Sequence, residues 1–256
     1  MNNTIIIDKG KCIGCGLCVK DCVASAIKLE GGKAEVFKDC IECGHCFAVC
    51  PQNAVDMKGY DTSSSLPVTP MTEIDSDTLL AAMKSRRTIR QYKDIPVEQE
   101  VIDKIIEAGK VAPTGANSQN VAFTVLGSKQ DAIEKECVKI FRAGVGIGSK
   151  FSKSLQGTVI DDNFFFKKAP LVIVVSGKDT VNATIASSYM EIMANSLGLG
   201  ALYSGFFVAC THINPKIKSM LKLPKGHKAV TCMIFGYPDV HYQRTAPRKP
   251  HSVKEL

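Results

Sequence analysis

The chain has 256 residues, 45% of them hydrophobic, and a formal net charge of +7. That length holds one sizeable core plus a small domain, and its apolar runs, such as Leu171–Val175, are far too short to span a bilayer, so a cytoplasmic protein without a membrane partner is expected. Nucleic acid is not an expected partner either: residues 1–60 balance at seven Lys/Arg against seven Asp/Glu, and the tightest basic cluster in the remainder, Arg86-Arg87-x-x-Arg90, suits one phosphate better than a duplex.

Two cysteine runs come first along the chain. Cys12, Cys15, Cys18 and Cys22 have the spacing C-x-x-C-x-x-C-x-x-x-C, and Cys40, Cys43, Cys46 and Cys50 repeat it. This is the bacterial iron–sulfur run, in which three close thiolates hold one cubane and the fourth cysteine crosses to the other. The expected sets are therefore Cys12, Cys15, Cys18 and Cys50 on one 4Fe–4S cluster, and Cys40, Cys43, Cys46 and Cys22 on the second. Zinc uses two C-x-x-C pairs, or one pair with histidines, and fits these runs poorly. Disulfides require an oxidising compartment. Residues 12–29 and 40–57 form an internal repeat with seven of 18 positions identical, namely the four cysteines, Ile13/Ile41, Gly16/Gly44 and Ala26/Ala54. Each half is expected to fold as a cluster loop, a short helical turn and a strand, with the clusters replacing a core too small to fold alone. His45 reads as a solvent-facing loop residue. Residues 1–60 are thus expected as a ferredoxin-like two-cluster domain.

Residues 61–74, rich in Ser, Thr and Pro, read as a linker to a second domain, 75–256. A helix is expected over Asp75–Arg86, acidic at its start and basic at its end. A second is expected over Val97–Val111, where Val101, Ile102, Ile105, Ile106 and Ala108 form an apolar stripe. Val121–Leu126, Leu171–Val175 and Val230–Phe235 read as strands, the last two central. Gly144–Gly148 reads as a glycine-rich mobile loop. Thr184–Leu199 reads as a helix buried on several sides. Cys137, Cys210 and Cys232 lie outside the cluster runs and are expected to be buried and inert.

Several segments of the second domain resemble the nitroreductase family of FMN flavoproteins: SRRTIRQY (Ser85–Tyr92), APTGANSQN (Ala112–Asn120), Met190–Phe207, Val230–Pro238 and RTAPRKP (Arg244–Pro250). The resemblance implies an α+β fold with a central, mainly antiparallel sheet flanked by helices, FMN as cofactor, and a homodimer with FMN at the subunit interface. It places Arg86 and Arg248 on the FMN phosphate, Arg87 and Thr88 in the same binding turn, and Arg90 near flavin N1 and the C2 carbonyl. A cation there stabilises the anionic reduced flavin. Pro113, Thr114, Gly115 and Asn117 match a loop that reaches the partner subunit's flavin, and Ser204 and Gly205 match a turn whose backbone faces flavin N5. Asn163 is a further candidate for a pyrimidine contact. Asn120 stands where the family often has proline, and Ser204 where some members have glutamate.

The whole chain then looks like a ferredoxin–nitroreductase fusion. Its expected function is FMN-dependent reduction of a small organic acceptor, nitroaromatic or quinone-like, with electrons relayed by two 4Fe–4S clusters. No residue is expected to act as a catalytic acid or base, because hydride chemistry belongs to the cofactor. A ferredoxin or NAD(P)H would be the electron donor. Two other readings stay open: an NAD(P)H-oxidising flavoprotein that sends electrons out through its clusters, and a redox sensor or carrier without a dedicated substrate.

Overall fold

The computed structural model describes residues 4–68, 73–148 and 159–255. The chain divides into two compact units, one formed by residues 1–73 with Thr114–Ser118, the other by Ile74–Pro113 with Gln119–Leu256.

The N-terminal unit follows its repeat. Strand β1 (Ile5–Ile7) pairs antiparallel with β4 (Val55–Met57), Ile5 opposite Met57. Strands β2 (Ile27–Glu30) and β3 (Lys33–Val36) form a hairpin closed by Gly31-Gly32. One-turn helices α1 (Leu17–Lys20) and α2 (His45–Ala48) carry the third cysteine of each run, and Cys18 and Cys46 are both buried. The apolar core is small: Ile5, Ile27, Ala34, Ala54, Val55 and Met57 pack with Cys12, Cys18 and Cys46. Cysteine sulfur thus supplies much of what burial there is.

The second unit is an α+β domain built on one four-stranded sheet in the order β5 (Val121–Val125), β6 (Leu171–Gly177), β8 (Lys228–Gly236), β7 (Gly200–Tyr203). Every pairing is antiparallel. All seven residues of β6 are buried, as a strand covered on both faces requires. On one face α4 (Gln99–Lys110) and α6 (Thr180–Ser196) press Ile105, Ala183, Met190 and Ala194 onto Ile173, Val175 and Met233. On the other, α5 (Gln130–Gly148), α7 (Gly205–Ile213) and α8 (Pro215–Leu221) bury Ile133, Cys137, Phe207, Cys210 and Ile217 against Val172, Val174 and Ile234. Helix α3 (Ser76–Ser85) leads into the sheet and is capped by Asp75, whose carboxylate accepts from Thr78 N at 2.8 Å. Among the described residues no helix is long and apolar enough to cross a membrane.

Three sequence expectations change. Gly144–Gly148 is not a loop but the last turn of α5. Three glycines in five residues disfavour helix by propensity alone; the preceding stripe of Ile133, Cys137 and Val138, packed on the sheet, outweighs it. Helix α6 begins four residues before its expected start, because Asp179 accepts from Asn182 N at 2.9 Å and caps it there. The segment after α6, for which the sequence carries no strand expectation, contains strand β7.

Candidate cofactor sites

In the N-terminal unit Cys12, Cys15, Cys18 and Cys50 line one cavity. The last cysteine of the second run therefore meets the first three of the first run. Backbone N–H groups point at the sulfurs: Ala34 N to Cys12 Sγ at 3.4 Å, Ala26 N to Cys22 Sγ at 3.2 Å, Glu42 N to Cys40 Sγ at 3.2 Å and Ala54 N to Cys50 Sγ at 3.3 Å. The identity of Ala26 and Ala54 in the repeat has its reason here. Both are buried in a close-packed interior, and the backbone N–H of each donates to the closing cysteine of its own run. The N–H groups of Ala34 and Gly14, with Lys33 and Lys9, hold the Cys12 thiol below its ordinary range. Burial pushes Cys18 up and Cys46 to about 11. Buried thiols that resist ionising alone become thiolates when a metal takes them, so eight thiols of mixed burial, ringed by donors, fit iron–sulfur ligation. His45 is exposed, with Nδ1 3.4 Å from the Cys43 carbonyl oxygen.

In the second unit the segment after α3 runs along β7. Ile89 N donates to Ala201 O at 3.1 Å, and Thr88 bridges Ala201. Ile89 is buried, so its neighbours are held at the surface in a fixed register. Arg86 and Arg87 line a pocket of about 160 Å³ with Glu191, Asn195, Gly200 and Tyr242. Arg86 Nη1 donates to Glu191 Oε1 at 2.8 Å, and the Arg87 guanidinium lies 5.6 Å from the centre of the Tyr242 ring. Arg90 lies in a different pocket, of about 370 Å³, with Asp161, Asn163, Lys167 and Lys168. The structure thus brings Arg86 and Arg87 together, brings Arg90 to Asn163, and places Arg248 in neither lining.

Lys167 and Lys168 were not candidates on sequence. Both are left-handed, at φ 54° and 58°, in the turn before β6, and Lys167 Nζ sits 4.7 Å from the Phe164 ring centre. Glu134, buried in α5, holds this turn: its Oε1 accepts from Phe165 N at 2.9 Å and Phe166 N at 2.7 Å. A doubled lysine two residues before the apolar run Leu171–Val175 was the available signal. Ser204 is buried and precedes α7, its N–H donating to Cys232 O at 2.8 Å, while Gly205 opens the helix and faces open space. Cys137, Cys210 and Cys232 are all buried, and a bond with Cys210 plus burial push the Cys137 thiol up.

Residues 83–237 match the Nitroreductase family. The chain belongs to the nitroreductase family. It is accordingly an oxidoreductase, and residues 11–55 match a 4Fe-4S dicluster domain, which joins a ferredoxin-like module to the nitroreductase domain in one chain. The chain is 28% identical over 174 residues to the FMN reductase (NAD(P)H) of Bacillus subtilis, covering 62% of this chain and 66% of that one. It is also 28% identical over 173 residues to an iodotyrosine deiodinase of Haliscomenobacter hydrossis, covering 61% and 77%. A crystal structure of a nitroreductase with bound FMN from Desulfitobacterium hafniense shares the fold at a TM-score of 0.59 and 19% identity, over 71% of this chain and all of that one.

The nitroreductase-like loop at Pro113–Asn117 has its own geometry. Thr114–Ser118 groups with the N-terminal unit, where Asn117 Nδ2 donates to Glu42 O at 2.8 Å. Ala116, Asn117 and Gln119 are left-handed, at φ 50°, 52° and 45°. Arg248 lies exposed in the irregular C-terminal stretch.

Proposed function

We propose that the chain is an FMN-dependent oxidoreductase that draws electrons through two 4Fe–4S clusters to reduce a small organic acceptor, nitroaromatic or quinone-like. The observation that carries this reading is the union, in one chain, of eight thiols in the dicluster pattern with a nitroreductase domain bearing two cationic pockets. Iron–sulfur clusters carry single electrons, and a flavin exchanges one-electron for two-electron chemistry.

The residues divide the work. Cys12, Cys15, Cys18 and Cys50 hold one cluster, and Cys40, Cys43, Cys46 and Cys22 the other. Arg86, Arg87 and Thr88, with Arg248, bind the FMN phosphate, for which a guanidinium fork is better shaped than an ammonium. Arg90, Asn163, Lys167 and Lys168 face the flavin's pyrimidine edge, where positive charge favours the reduced anion. The backbone at Ser204 and Gly205 approaches the ring, Gly205 leaving space for it. Pro113, Thr114, Gly115 and Asn117 belong to a homodimer contact.

One comparison favours a second reading. The Bacillus relative carries NAD(P)H in its name, which supports NAD(P)H as the donor, with electrons leaving through the clusters. Anaerobic titration separates the two: under the first reading a reduced ferredoxin bleaches the flavin band and NAD(P)H does not. Bleaching by NAD(P)H followed by reduction of the clusters supports the second, and protein purified without iron or flavin refutes both.

A further inference from the structure

The two cysteine runs repeat each other, but the charges set around them do not. Residue 14 in the first run is equivalent to residue 42 in the second, each standing between the first and second cysteines of its run. Gly14 has φ +72°, and a Cβ there would lie 2.0 Å from the carbonyl oxygen of Gly32 in the β2–β3 hairpin. The first run therefore admits no side chain at this point. The second run places Glu42 there at φ 55°, a left-handed conformation that a non-glycine residue adopts only at a cost. The backbone role survives the exchange, since Glu42 N still donates to Cys40 Sγ at 3.2 Å. What the second run gains is a carboxylate, fixed by Tyr60 OH at 2.9 Å and by Thr4 Oγ1 at 2.5 Å.

Two lysines stand beside the first cysteine of the first run. Lys33 Nζ donates to the Cys12 carbonyl oxygen, and Lys33 is half-buried. Lys9 Nζ donates to Ala34 O at 2.8 Å, on the residue whose N–H points at Cys12 Sγ. Glu35 lies 3.4 Å from Lys9 and offsets part of its charge, so Lys33 contributes the larger field.

We propose that the two clusters are made unequal by these side chains: Lys33 and Lys9 raise the reduction potential of the one at Cys12, Cys15, Cys18 and Cys50, and Glu42 lowers that of the one at Cys40, Cys43, Cys46 and Cys22. The physical ground is that adding one electron adds one negative charge, which a cation favours and a carboxylate opposes. No bond forms or breaks; an external one-electron reductant supplies the electron. The first electron to enter the unit rests at the lysine-flanked site. The inference rests on the two-cluster reading above and adds an order of filling to it.

The test is an anaerobic potentiometric titration of the full-length holoprotein, followed by electron paramagnetic resonance after iron and sulfide have been counted. The wild-type protein should show two one-electron couples. Glu42→Gln should raise the lower couple by about a tenfold change in electron partition, which is 59 mV for one electron, and leave the upper couple in place. Glu42→Gly keeps the N–H donor and relieves the left-handed strain while giving up the bonds from Thr4 and Tyr60, so it should give the same shift with the iron content of the wild type. Lys33→Met should lower the upper couple and leave the lower one. A single shared couple in the wild type overturns the proposal, as does a shift with Gln but not Gly, or movement of the wrong couple. Iron well short of eight atoms per chain refutes the cluster reading itself, a separate failure.

Discussion

Gly200 is where the sheet and the arginine segment meet most closely, and replacing it tests whether Ile89 sets that segment's position. A Cβ at residue 200 would stand 2.2 Å from Ile89 Cγ1, 2.6 Å from Ile89 Cβ and 3.0 Å from Ile89 Cγ2. Ile89 is only 5% exposed and its N–H is bonded to Ala201 O, so it cannot swing aside without leaving β7. Relief of the contact needs a movement of about 1 Å in a close-packed region. Overpacking of this kind costs about 1–3 kcal/mol, or roughly 2–4 °C of melting temperature for each kcal/mol in a domain of this size. Gly200→Ala should therefore lower the melting temperature of the nitroreductase domain and reduce retained FMN, because Arg86, Arg87 and Thr88 move with Ile89. Ile89→Ala alone should cost about 2–5 kcal/mol through its cavity. In the double variant the new methyl enters that space, so the two losses should fall short of their sum by about 0.5–3 kcal/mol. Denaturant melts of the four proteins measure this directly. Additive losses, or a Gly200→Ala protein as stable as wild type, would refute the argument.

Three further outcomes are expected. Arg86→Ala and Arg248→Ala should each weaken FMN binding by roughly 1.5–3 kcal/mol, the worth of a hydrogen bond to a charged group; full flavin occupancy in both variants would displace the phosphate from this site. Cys50→Ser should disturb the same paramagnetic signal as Cys12→Ser, not that of Cys40→Ser, because Cys50 shares a cavity with Cys12, Cys15 and Cys18. Glu134 should give a pH signature: burial, opposed by the N–H groups of Phe166 and Phe165, raises its folded-state pKa above the ordinary carboxylate value. The native state then binds the proton more tightly than the unfolded chain, so stability should fall as pH rises from the ordinary value through the raised one and then level off. Urea melts of Glu134→Gln, which keeps the acceptor oxygen, should lose that slope, whereas Glu134→Ala should cost about 1–3 kcal/mol for each stranded N–H; an unchanged slope in the Gln variant refutes the assignment.

What could be read from the sequence was what depends on near neighbours. The eight cysteines declare themselves because a cubane's corners are reached by residues three apart, and β6 declares itself because a strand covered on both sides opens with an unbroken apolar run, Leu171–Val175. The arginine segment stands out for the same reason, three guanidinium groups within five residues, which is the ground for proposing an anion site there. The tertiary structure alone decided how those parts are used. It sent Arg86 and Arg87 to one pocket and Arg90 to another, since the buried Ile89 between them is pinned on β7. It brought Lys167 and Lys168 to Arg90 through a turn held by Glu134, some thirty residues earlier. It extended α5 through three glycines that local propensity would stop, and it showed that residue 14 has no room for a side chain while the Glu42 carboxylate is fixed by Thr4 and Tyr60. Each of these rests on a contact between segments distant along the chain, whose closure is set by the packing of the whole sheet and not by any window of neighbouring residues.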